Sequence, residues 1–374
     1  MKQMHTRSIA LILEGKSLEG GGGAERRFIR LWRYFLDKDI SVHLILNDSL
    51  FISGVIVGLF TDNDLQNKTL HIIKYNHPIL VSLSMCKIIL QNSFNIIHLV
   101  LAQKRLLIFY VMLFSQKKYV ITHTIAFSAF SCHLKLPWST LFLSKWIWKK
   151  ADRIDSLYSG FLQTYAKPLR FENKVEISPC SFSDIKFCSV KRKKALIVFS
   201  GRLIEEKNPI LFLDALSLLR KKCTQWEAII AGEGPLENSV KIKLLQEQMD
   251  SYVTVQAFGD MSEILSESLI FVSLQKTENY PSQSLLEAML ACNVVIATNV
   301  GETSKIIQDG NTGFLIEANP YELSEKLFQL LNNPELVQTI ALNGKKFVEK
   351  NHTIERFAEY INGFWLTAFK NKRF

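Results

Sequence analysis

The amino-acid sequence predicts an α/β fold of two doubly wound domains that face each other across a cleft. Short apolar runs alternate with helical patterns along the chain, which is typical of parallel sheets covered on both faces. The length of 374 residues also fits two domains of roughly 150 residues or more each. Ligands of such folds bind at the carboxyl ends of the strands, so we expect a site facing the gap between the domains.

The first alternating series fills the first half of the chain. A helix is clearest over 24–36, where Phe28, Leu31, Trp32 and Phe35 share one face. Strands are predicted over 9–14, 41–46, 96–100, 119–122, 153–157 and 175–178.

A polar stretch at 181–194 interrupts the periodicity and is predicted to be the linker between domains 1–180 and 195–350. Three helices are expected to close the chain, and the segment 351–374 is predicted to pack back toward the first domain. The second series has strands predicted over 195–200, 228–231, 253–256, 269–274 and 294–297, with helices over 209–221, 236–249, 261–267 and 282–292.

Composition excludes several protein classes. With 48% hydrophobic and 21% charged residues, the chain is neither a disordered tract nor a collagen or coiled coil. Its net charge of +10 is uneven, because residues 1–190 hold 24 Lys and Arg against 13 Asp and Glu, and the remainder is near neutral. No acidic residue lies between Asp64 and Asp152, whereas eleven basic residues do. The charge therefore points to an anionic partner of the first domain.

Cysteine spacing and hydropathy favour a reduced cytoplasmic protein. The six cysteines form no CxxC pair and no metal-like spacing with His. Neither a secretory signal nor a run of 18 apolar residues is recognisable, so no spanning helix is expected.

A run of four glycines, including Gly22 and Gly23, follows the first strand and leads into a helix. Glycines at such a position let backbone N–H groups approach an anion at the positive helix end. The run is neither GxGxxG nor a P-loop. A flexible strand-to-helix loop explains it equally well.

The segment GRLIEEKNP follows the first strand of the second series and brings two cations near the carboxyl end of that strand. Arg202 offers a planar fork and Lys207 a compact charge, both suited to a diphosphate. A solvated surface is the alternative, but the strand-end position favours anion binding.

A third segment, 277–289, contains the start of a predicted helix after a strand. Ser282, Gln283 and Ser284 would form a first turn open to a phosphate or sugar oxygen. Glu287, in the second turn, could accept hydrogen bonds from vicinal hydroxyls. An ordinary capped helix is the alternative.

In this order the three motifs resemble glycosyltransferase family 4, a group of retaining nucleotide-sugar transferases with the GT-B fold of two Rossmann-like domains. The resemblance also rests on AGEGPLE at 231–237 and on the segment 294–317, and more thinly on ITHT at 121–124 and ADRIDSLYS at 151–159.

The resemblance implies roles for individual residues. Arg202 and Lys207 would hold the donor diphosphate, and Glu287 would bind the donor ribose. The first acid of the E-x7-E motif would be Glu278, although the family spacing counts back to Asn279.

Further positions follow from the same resemblance. His123 would lie near the scissile bond, with His98 as the competing candidate. Gly22, Gly23, Gly201, Glu233, Ser282, Gln283 and Ser284 would complete the donor site.

The expected reaction is transfer of a sugar, with retention, from a nucleotide-diphosphate sugar to a glycan or polyprenyl-linked acceptor. The pathway expected is cell-surface polysaccharide biosynthesis, such as lipopolysaccharide or capsule. No DxD-like motif is found, so neither a metal nor another cofactor is expected. A sugar-nucleotide epimerase and a non-catalytic nucleotide-sugar-binding protein remain the alternatives. Nucleic acid is not expected as a partner, because no recognition motif accompanies the charge.

The acceptor side is predicted on the basic first domain. Residues 135–150 combine Trp138, Trp146 and Trp148 with lysines that include Lys145, Lys149 and Lys150. Tryptophan with lysine is typical of interfacial helices, so peripheral contact with an anionic membrane on the inner face of the plasma membrane is expected. A core helix with exposed lysines is the alternative.

Overall fold

In a computed structural model, the chain folds into two compact units. The first consists of Met1–Pro179 and Ile354–Phe374, and the second of Cys180–Thr353. The residues that the structure describes are 7–14, 23–47, 60–75, 77–100, 106–116, 118–125, 138–183, 193–257, 259, 261–277, 280 and 282–372.

The sheet of the first unit has seven parallel strands in the order β3-β2-β1-β4-β5-β6-β7. The chain builds outward from β1 in one direction and then from β4 in the other, which is the doubly wound pattern. The strands are β1 (Ile9–Glu14), β2 (Val42–Asn47), β3 (Leu70–Ile73), β4 (Ile96–Val100), β5 (Val120–Ile125), β6 (Arg153–Ser156) and β7 (Val175–Ile177).

Helices cover both faces of this sheet. Their bounds are α1 (Gly23–Leu36), α2 (Asp62–Gln66), α3 (Pro78–Gln91), α4 (Leu107–Ser115), α5 (Trp138–Lys150) and the short α6 (Ser159–Phe161), which continues as a π-helical turn over Leu162–Ala166. One buried cluster joins α3, α4 and α5 to apolar residues of β1, β2, β4 and β5. Phe28, Trp32 and Phe35 of α1 are also fully buried, so the predicted apolar face of this helix is the face that packs.

The second unit repeats the arrangement with six parallel strands in the order β10-β9-β8-β11-β12-β13. The strands are β8 (Leu196–Ser200), β9 (Glu227–Ala231), β10 (Val253–Gln256), β11 (Ile270–Ser273), β12 (Val294–Thr298) and β13 (Phe314–Ile316). The helices are α7 (Pro209–Arg220), α8 (Glu237–Gln246), α9 (Ser262–Glu267), α10 (Gln283–Leu290), α11 (Pro320–Leu331) and α12 (Pro334–Asn351).

The last helix, α13 (Ile354–Asn371), belongs to the first unit and is held there by buried polar contacts. Trp365 Nε1 donates to His98 Nδ1 at 3.1 Å, and the Tyr360 hydroxyl donates to Asp155 Oδ1 at 2.6 Å. The Thr124 hydroxyl links the two, lying 2.9 Å from His98 Nε2 and donating to Asp155 Oδ2 at 2.9 Å. This series of hydrogen bonds fixes α13 to β4, β5 and β6.

The structure differs from the sequence prediction at the linker. Residues 180–183 lie in the second unit, where Gln283 Nε2 donates to the Phe182 carbonyl at 2.8 Å and Phe182 is fully buried. The rest of the predicted linker up to residue 192 lies outside the described residues.

Two helical glycines provide a matched test of packing. A Cβ at Gly344 in α12 would lie 2.8 Å from the Thr312 carbonyl oxygen, whereas a Cβ at Gly363 in α13 would meet nothing within 4 Å. We expect Gly344→Ala to destabilise the protein by about 1–3 kcal/mol through overpacking. Gly363→Ala should stabilise it by up to about 1 kcal/mol through helix propensity.

Measured by differential scanning calorimetry, the melting temperatures of these two variants should therefore shift in opposite directions from that of the wild type. A shift of the same sign in both would contradict the packing described at Gly344.

Candidate functional site

The candidate site of the second unit lies where its strand order reverses. Strands β8 and β11 are neighbours, and the chain leaves their carboxyl ends toward opposite faces of the sheet. This divergence opens a crevice between the two loops that follow these strands. The loops are tied together, because Lys276 N donates to the Glu206 carbonyl at 2.9 Å and Lys276 Nζ to Glu205 Oε2 at 3.0 Å. GRLIEEKNP thus occupies the position where open parallel sheets bind ligands.

Glycine is required where the loops after β8 and β9 run together. Leu203 N donates to the Glu233 carbonyl at 2.9 Å, and Leu236 N donates back to the Leu203 carbonyl at 2.9 Å. A Cβ at Gly232 would lie only 1.9 Å from the Gly201 carbonyl oxygen. The two backbones can therefore approach this closely only without a side chain at Gly232. Glu233 projects from the same loop and is exposed.

Lys207 ends a 3-10 turn over Glu205–Lys207 and is partly buried. Burial and, secondly, the nearby charge of Arg202 lower the pKa of Lys207 to about 8, against the opposing effect of Glu206. In the part of the chain that the structure describes, no ion pair is found for Lys207 or for the exposed Arg202. These two cations therefore leave positive charge available to an anionic ligand.

The turn is closed by Asn208, which adopts the left-handed conformation with φ of 58°. Pro209 then occupies the first turn of α7, where its lack of an N–H costs nothing.

Some polar side chains at the start of α10 already form hydrogen bonds within the second unit. Ser282 is the N-cap residue, and its hydroxyl oxygen lies 3.1 Å from that of Ser284. The Gln283 amide is already used to hold Phe182, so its N–H groups serve the unit's own packing. Glu287 lies in the second turn and is partly buried.

Several predicted donor residues cannot be placed in this crevice. Glu278, Asn279 and Gly22 lie outside the described residues. Gly23 is the first residue of α1, so the glycine run does lead directly into a helix.

In the first unit the structure separates the two histidine candidates. His98 is fully buried with hydrogen bonds at both ring nitrogens, as described for the α13 contacts. His123 is also buried, yet neither of its ring nitrogens is hydrogen-bonded to a residue that the structure describes. Burial lowers the pKa of His123 to about 3, so its imidazole is neutral at physiological pH. Among the two, His123 is the one with polar atoms left for a ligand.

The predicted membrane residues on α5 divide into exposed and buried sets. Trp138 is 82% exposed, Lys149 and Lys150 are exposed, and Lys145 is partly buried. Trp146 packs against Phe114 of α4 with 5.2 Å between ring centroids.

For Trp148 the prediction of membrane contact is wrong. Its side chain is 1% exposed and packs edge-on against Phe161, because Leu143, Ser144, Ile147 and Trp148 form the buried face of α5.

The described residues contain no group of three or more His, Cys, Asp or Glu side chains arranged to hold a metal ion. None of the described helices has the length and hydropathy needed to cross a bilayer.

The part of the chain that contains the candidate crevice is similar to a known protein family. Residues 182–363 match the model of the family described as Glycosyl transferases group 1. This similarity spans just under half of the chain. The match covers the unit in which Arg202 and Lys207 lie.

Curated relatives are similar over part of their length. Human alpha-1,3/1,6-mannosyltransferase ALG2 is 33% identical over 186 residues, which are 46% of this chain and 45% of that protein. A Campylobacter jejuni protein is 26% identical over 51% of this chain and 55% of its own length; it is named as an alpha-1,4-N-acetyl-D-galactosaminyltransferase acting on a diphospho-undecaprenol-linked saccharide. The chain thus spans about half the length of the curated relatives it matches.

Solved structures are similar over nearly the whole chain. A glycosyltransferase from Rickettsia africae covers 98% of this chain and 99% of its own with a TM-score of 0.74 at 15% identity. Anabaena Alr3699/HepE in complex with UDP and glucose covers 96% and 100% with a TM-score of 0.75 at 12% identity. At these identities the likeness concerns the fold, and it confirms the predicted fold of two doubly wound α/β domains.

The histidine assignment predicts different outcomes for the same substitution. His98→Ala removes a ring bonded to Trp365 and Thr124, so it should cost at least about 2 kcal/mol of unfolding free energy from unsatisfied buried groups. His123→Ala removes no such hydrogen bond and should cost less. Urea unfolding followed by tryptophan fluorescence measures both, and an equal or larger loss for His123→Ala would contradict the assignment.

Proposed function

We propose that this protein transfers a sugar from a nucleotide-diphosphate sugar to a glycan or lipid-linked acceptor, with retention of anomeric configuration. The observation that carries the proposal is the pair of cations, Arg202 and Lys207, in the switch-point crevice of the unit that matches the glycosyltransferase model. Such a crevice is the standard ligand position of a doubly wound sheet, and its positive charge suits a diphosphate.

The cations would act most strongly on the leaving group. As the bond between the anomeric carbon and the diphosphate oxygen breaks, negative charge develops on that oxygen, and fixed cations stabilise it. Partial burial of Lys207 keeps water from competing, so the charge is worth more there than on an open surface. One such donor lowers the activation barrier by about 3 kcal/mol.

Retention is proposed to follow from attack on the same face that the diphosphate leaves. The acceptor oxygen bonds to the anomeric carbon, and its proton passes to the departing phosphate oxygen, so no protein base is required. Arg202 and Lys207 supply the charge that a metal supplies in other transferases, and we propose a reaction independent of a resident metal or cofactor.

The remaining contacts are assigned by position. Glu287, in the second turn of α10, is proposed to accept hydrogen bonds from the ribose hydroxyls. Close approach of the diphosphate is favoured by Gly201 and Gly232, where the loop backbones lie without side chains between them. Glu278 or Asn279 is proposed to contact the donor sugar.

His123 is proposed to contact the reacting sugar as a neutral group. With the pKa of His123 lowered to about 3, its imidazole is uncharged near pH 7, so it is a poor general acid and a weak base. A neutral ring can still donate from one nitrogen and accept at the other. Orientation of a sugar hydroxyl is the role this chemistry permits.

The acceptor is proposed to be a polyprenyl-linked or capsular saccharide met by the first unit at the inner face of the plasma membrane. The C. jejuni relative is named for a diphospho-undecaprenol-linked acceptor, and a Staphylococcus aureus relative for capsular polysaccharide biosynthesis. The first unit carries the acid-free interval 65–151, which suits an anionic lipid surface.

A panel of nucleotide sugars tests the reaction class. Release of nucleoside diphosphate that depends on an added polyprenyl-linked saccharide, with a mass increase of one sugar in the product, is the expected result. Conversion of the nucleotide sugar without acceptor would instead identify an epimerase, and binding without turnover a non-catalytic protein. The anomeric configuration of the product, read by NMR, tests retention separately.

Removal of the lysine charge should lower turnover. We expect Lys207→Met to reduce kcat by on the order of a hundredfold, because the variant lacks the positive charge that stabilises the leaving group in the transition state. Lys207→Arg should recover part of the rate. Lys221→Met, an exposed substitution at the end of α7, is the control and should leave kcat unchanged. Undiminished turnover of Lys207→Met would refute the assigned role.

Donor binding should be coupled to protonation of Lys207. In the free protein the pKa of Lys207 is lowered to about 8, and a bound diphosphate would raise that pKa. Above about pH 8 the free lysine is largely deprotonated, so donor binding there is accompanied by uptake of a proton. Calorimetry in two buffers of different ionisation enthalpy should detect uptake approaching one proton near about pH 9 and little at about pH 6.5. The Lys207→Met variant should lack this uptake, and equal uptake in both proteins would contradict the coupling.

A further inference from the structure

The outer sides of α3, α4 and α5 are unusually apolar. Sixteen large hydrophobic side chains among the described residues are at least 38% exposed, and ten of them lie on these three helices. Four are on α3, four on α4 and two on α5: Ile79, Leu80, Leu83, Leu90, Leu107, Ile108, Val111, Met112, Trp138 and Phe142.

These side chains belong to one surface, which we name the α3–α5 face. Cys86 of α3 lies 3.8 Å from the Met112 sulfur of α4, and Phe114 of α4 packs on Trp146 of α5. All three helices cover the same side of the sheet through one buried cluster. The face therefore presents the sides of three adjacent helices rather than their ends.

Exposure on this scale is uncommon for a surface that meets only water. Soluble monomers rarely carry contiguous apolar patches beyond a few hundred Å². Phe142 is 69% exposed and Leu90 58%, and six other members lie between 43% and 51%. Ten such side chains on neighbouring helices exceed the usual patch, so the face needs a partner.

The charges around the face define the chemistry of that partner. Lys87 lies on the exposed stripe of α3 between Leu83 and Leu90, and Lys149 and Lys150 are exposed at the end of α5. No acidic residue occurs from 65 to 151. A second copy of this face would bring cations against cations, whereas an anionic bilayer offers both acyl chains and negative headgroups.

Between α3 and α4 the face contains an apolar groove. Leu90, Met112, Cys86 and Phe109 line it together with Gln116 and Tyr119. This mainly apolar lining offers contacts to acyl carbons of a bilayer.

We propose that the α3–α5 face inserts into the surface of an anionic phospholipid bilayer. The apolar side chains enter the boundary between headgroups and acyl chains, and the lysines contact the headgroups. The proposal deepens the peripheral attachment named under the proposed function and assigns it mainly to α3 and α4. Each lysine contributes roughly a fivefold gain in affinity near an anionic surface.

Vesicle flotation tests the apolar part. The intact protein is mixed with vesicles of phosphatidylcholine and phosphatidylglycerol, and a variant combining Leu83→Ser, Val111→Ser and Phe142→Ser should lose at least tenfold in binding. The matched control combines Ile242→Ser, Leu245→Ser and Leu342→Ser, three exposed apolar residues of the second unit, and should bind like wild type. Equal loss in both variants, or no binding by wild type, overturns the proposal.

The electrostatic part has its own variant. Replacement of Lys87, Lys149 and Lys150 by Gln should weaken binding to the same vesicles by on the order of a hundredfold. Raised salt should have a similar effect, and vesicles of phosphatidylcholine alone should bind less. Binding that ignores both charge and salt would overturn this part.

Insertion itself is read by fluorescence. Phosphatidylglycerol vesicles with brominated acyl chains should quench the emission of the wild type, and Trp138→Phe should remove most of that quenching because Trp138 is 82% exposed on this face. Unquenched emission from vesicle-bound protein would contradict insertion.

Failure of this proposal is separable from failure of the proposed function. The Ser variant should retain transfer to a short-chain acceptor in detergent, since none of its positions is in the donor site. Loss of vesicle binding with transfer intact separates the face from the chemistry, and vesicle binding without any transfer would refute the enzyme assignment alone. Light scattering of the wild type without lipid tests the second-copy alternative, and a dimer abolished by the Ser variant would overturn the bilayer as occupant.

Discussion

Backbone contact between neighbouring loops is the constraint on which the candidate donor site depends. The carbonyl of Gly201 faces Gly232 at a separation that no side chain could share, and Leu203 exchanges hydrogen bonds with the loop after β9. On its other side, the same loop receives a hydrogen bond from Lys276 after β11. Because its backbone is held on both sides, Lys207 can keep a charged group partly buried without an ion pair in the described residues. Fixed charge of this kind needs little reorganisation when a ligand develops negative charge.

A buried polar chain performs the corresponding role in the first unit. Asp155 accepts hydrogen bonds from Thr124, Ser178 and Tyr360, and burial raises the pKa of its carboxyl group against their effect. Thr124 connects this carboxylate to His98, and so to α13. Buried polar groups that are satisfied in this way specify one arrangement of the elements around them. The neighbouring His123 is left outside the chain of bonds.

Much of the fold was predictable because parallel strands buried on both faces read as short apolar runs. Strand β3 was missed because its four residues are mostly half-buried at the sheet edge. The three-residue strand β13, at an edge of the other sheet, was missed as well. Arg202 and Lys207 were found because a strand end precedes them. The histidine choice depended on Trp365, a partner of His98 that lies 267 residues away in sequence. The α3–α5 face was missed because an apolar helix with few charges has the same sequence pattern whether it is buried or exposed.

The assignment of α13 to the first unit has a consequence for the order of folding during synthesis. The ribosome completes the whole of Cys180–Thr353 before the helix that supplies Tyr360 and Trp365 emerges. The second unit is continuous in sequence and can fold as soon as it is made. The first unit must wait, with His98 and Asp155 exposed to water or to other partners until α13 arrives. A nascent chain would therefore complete its second unit while its first unit is still unfinished.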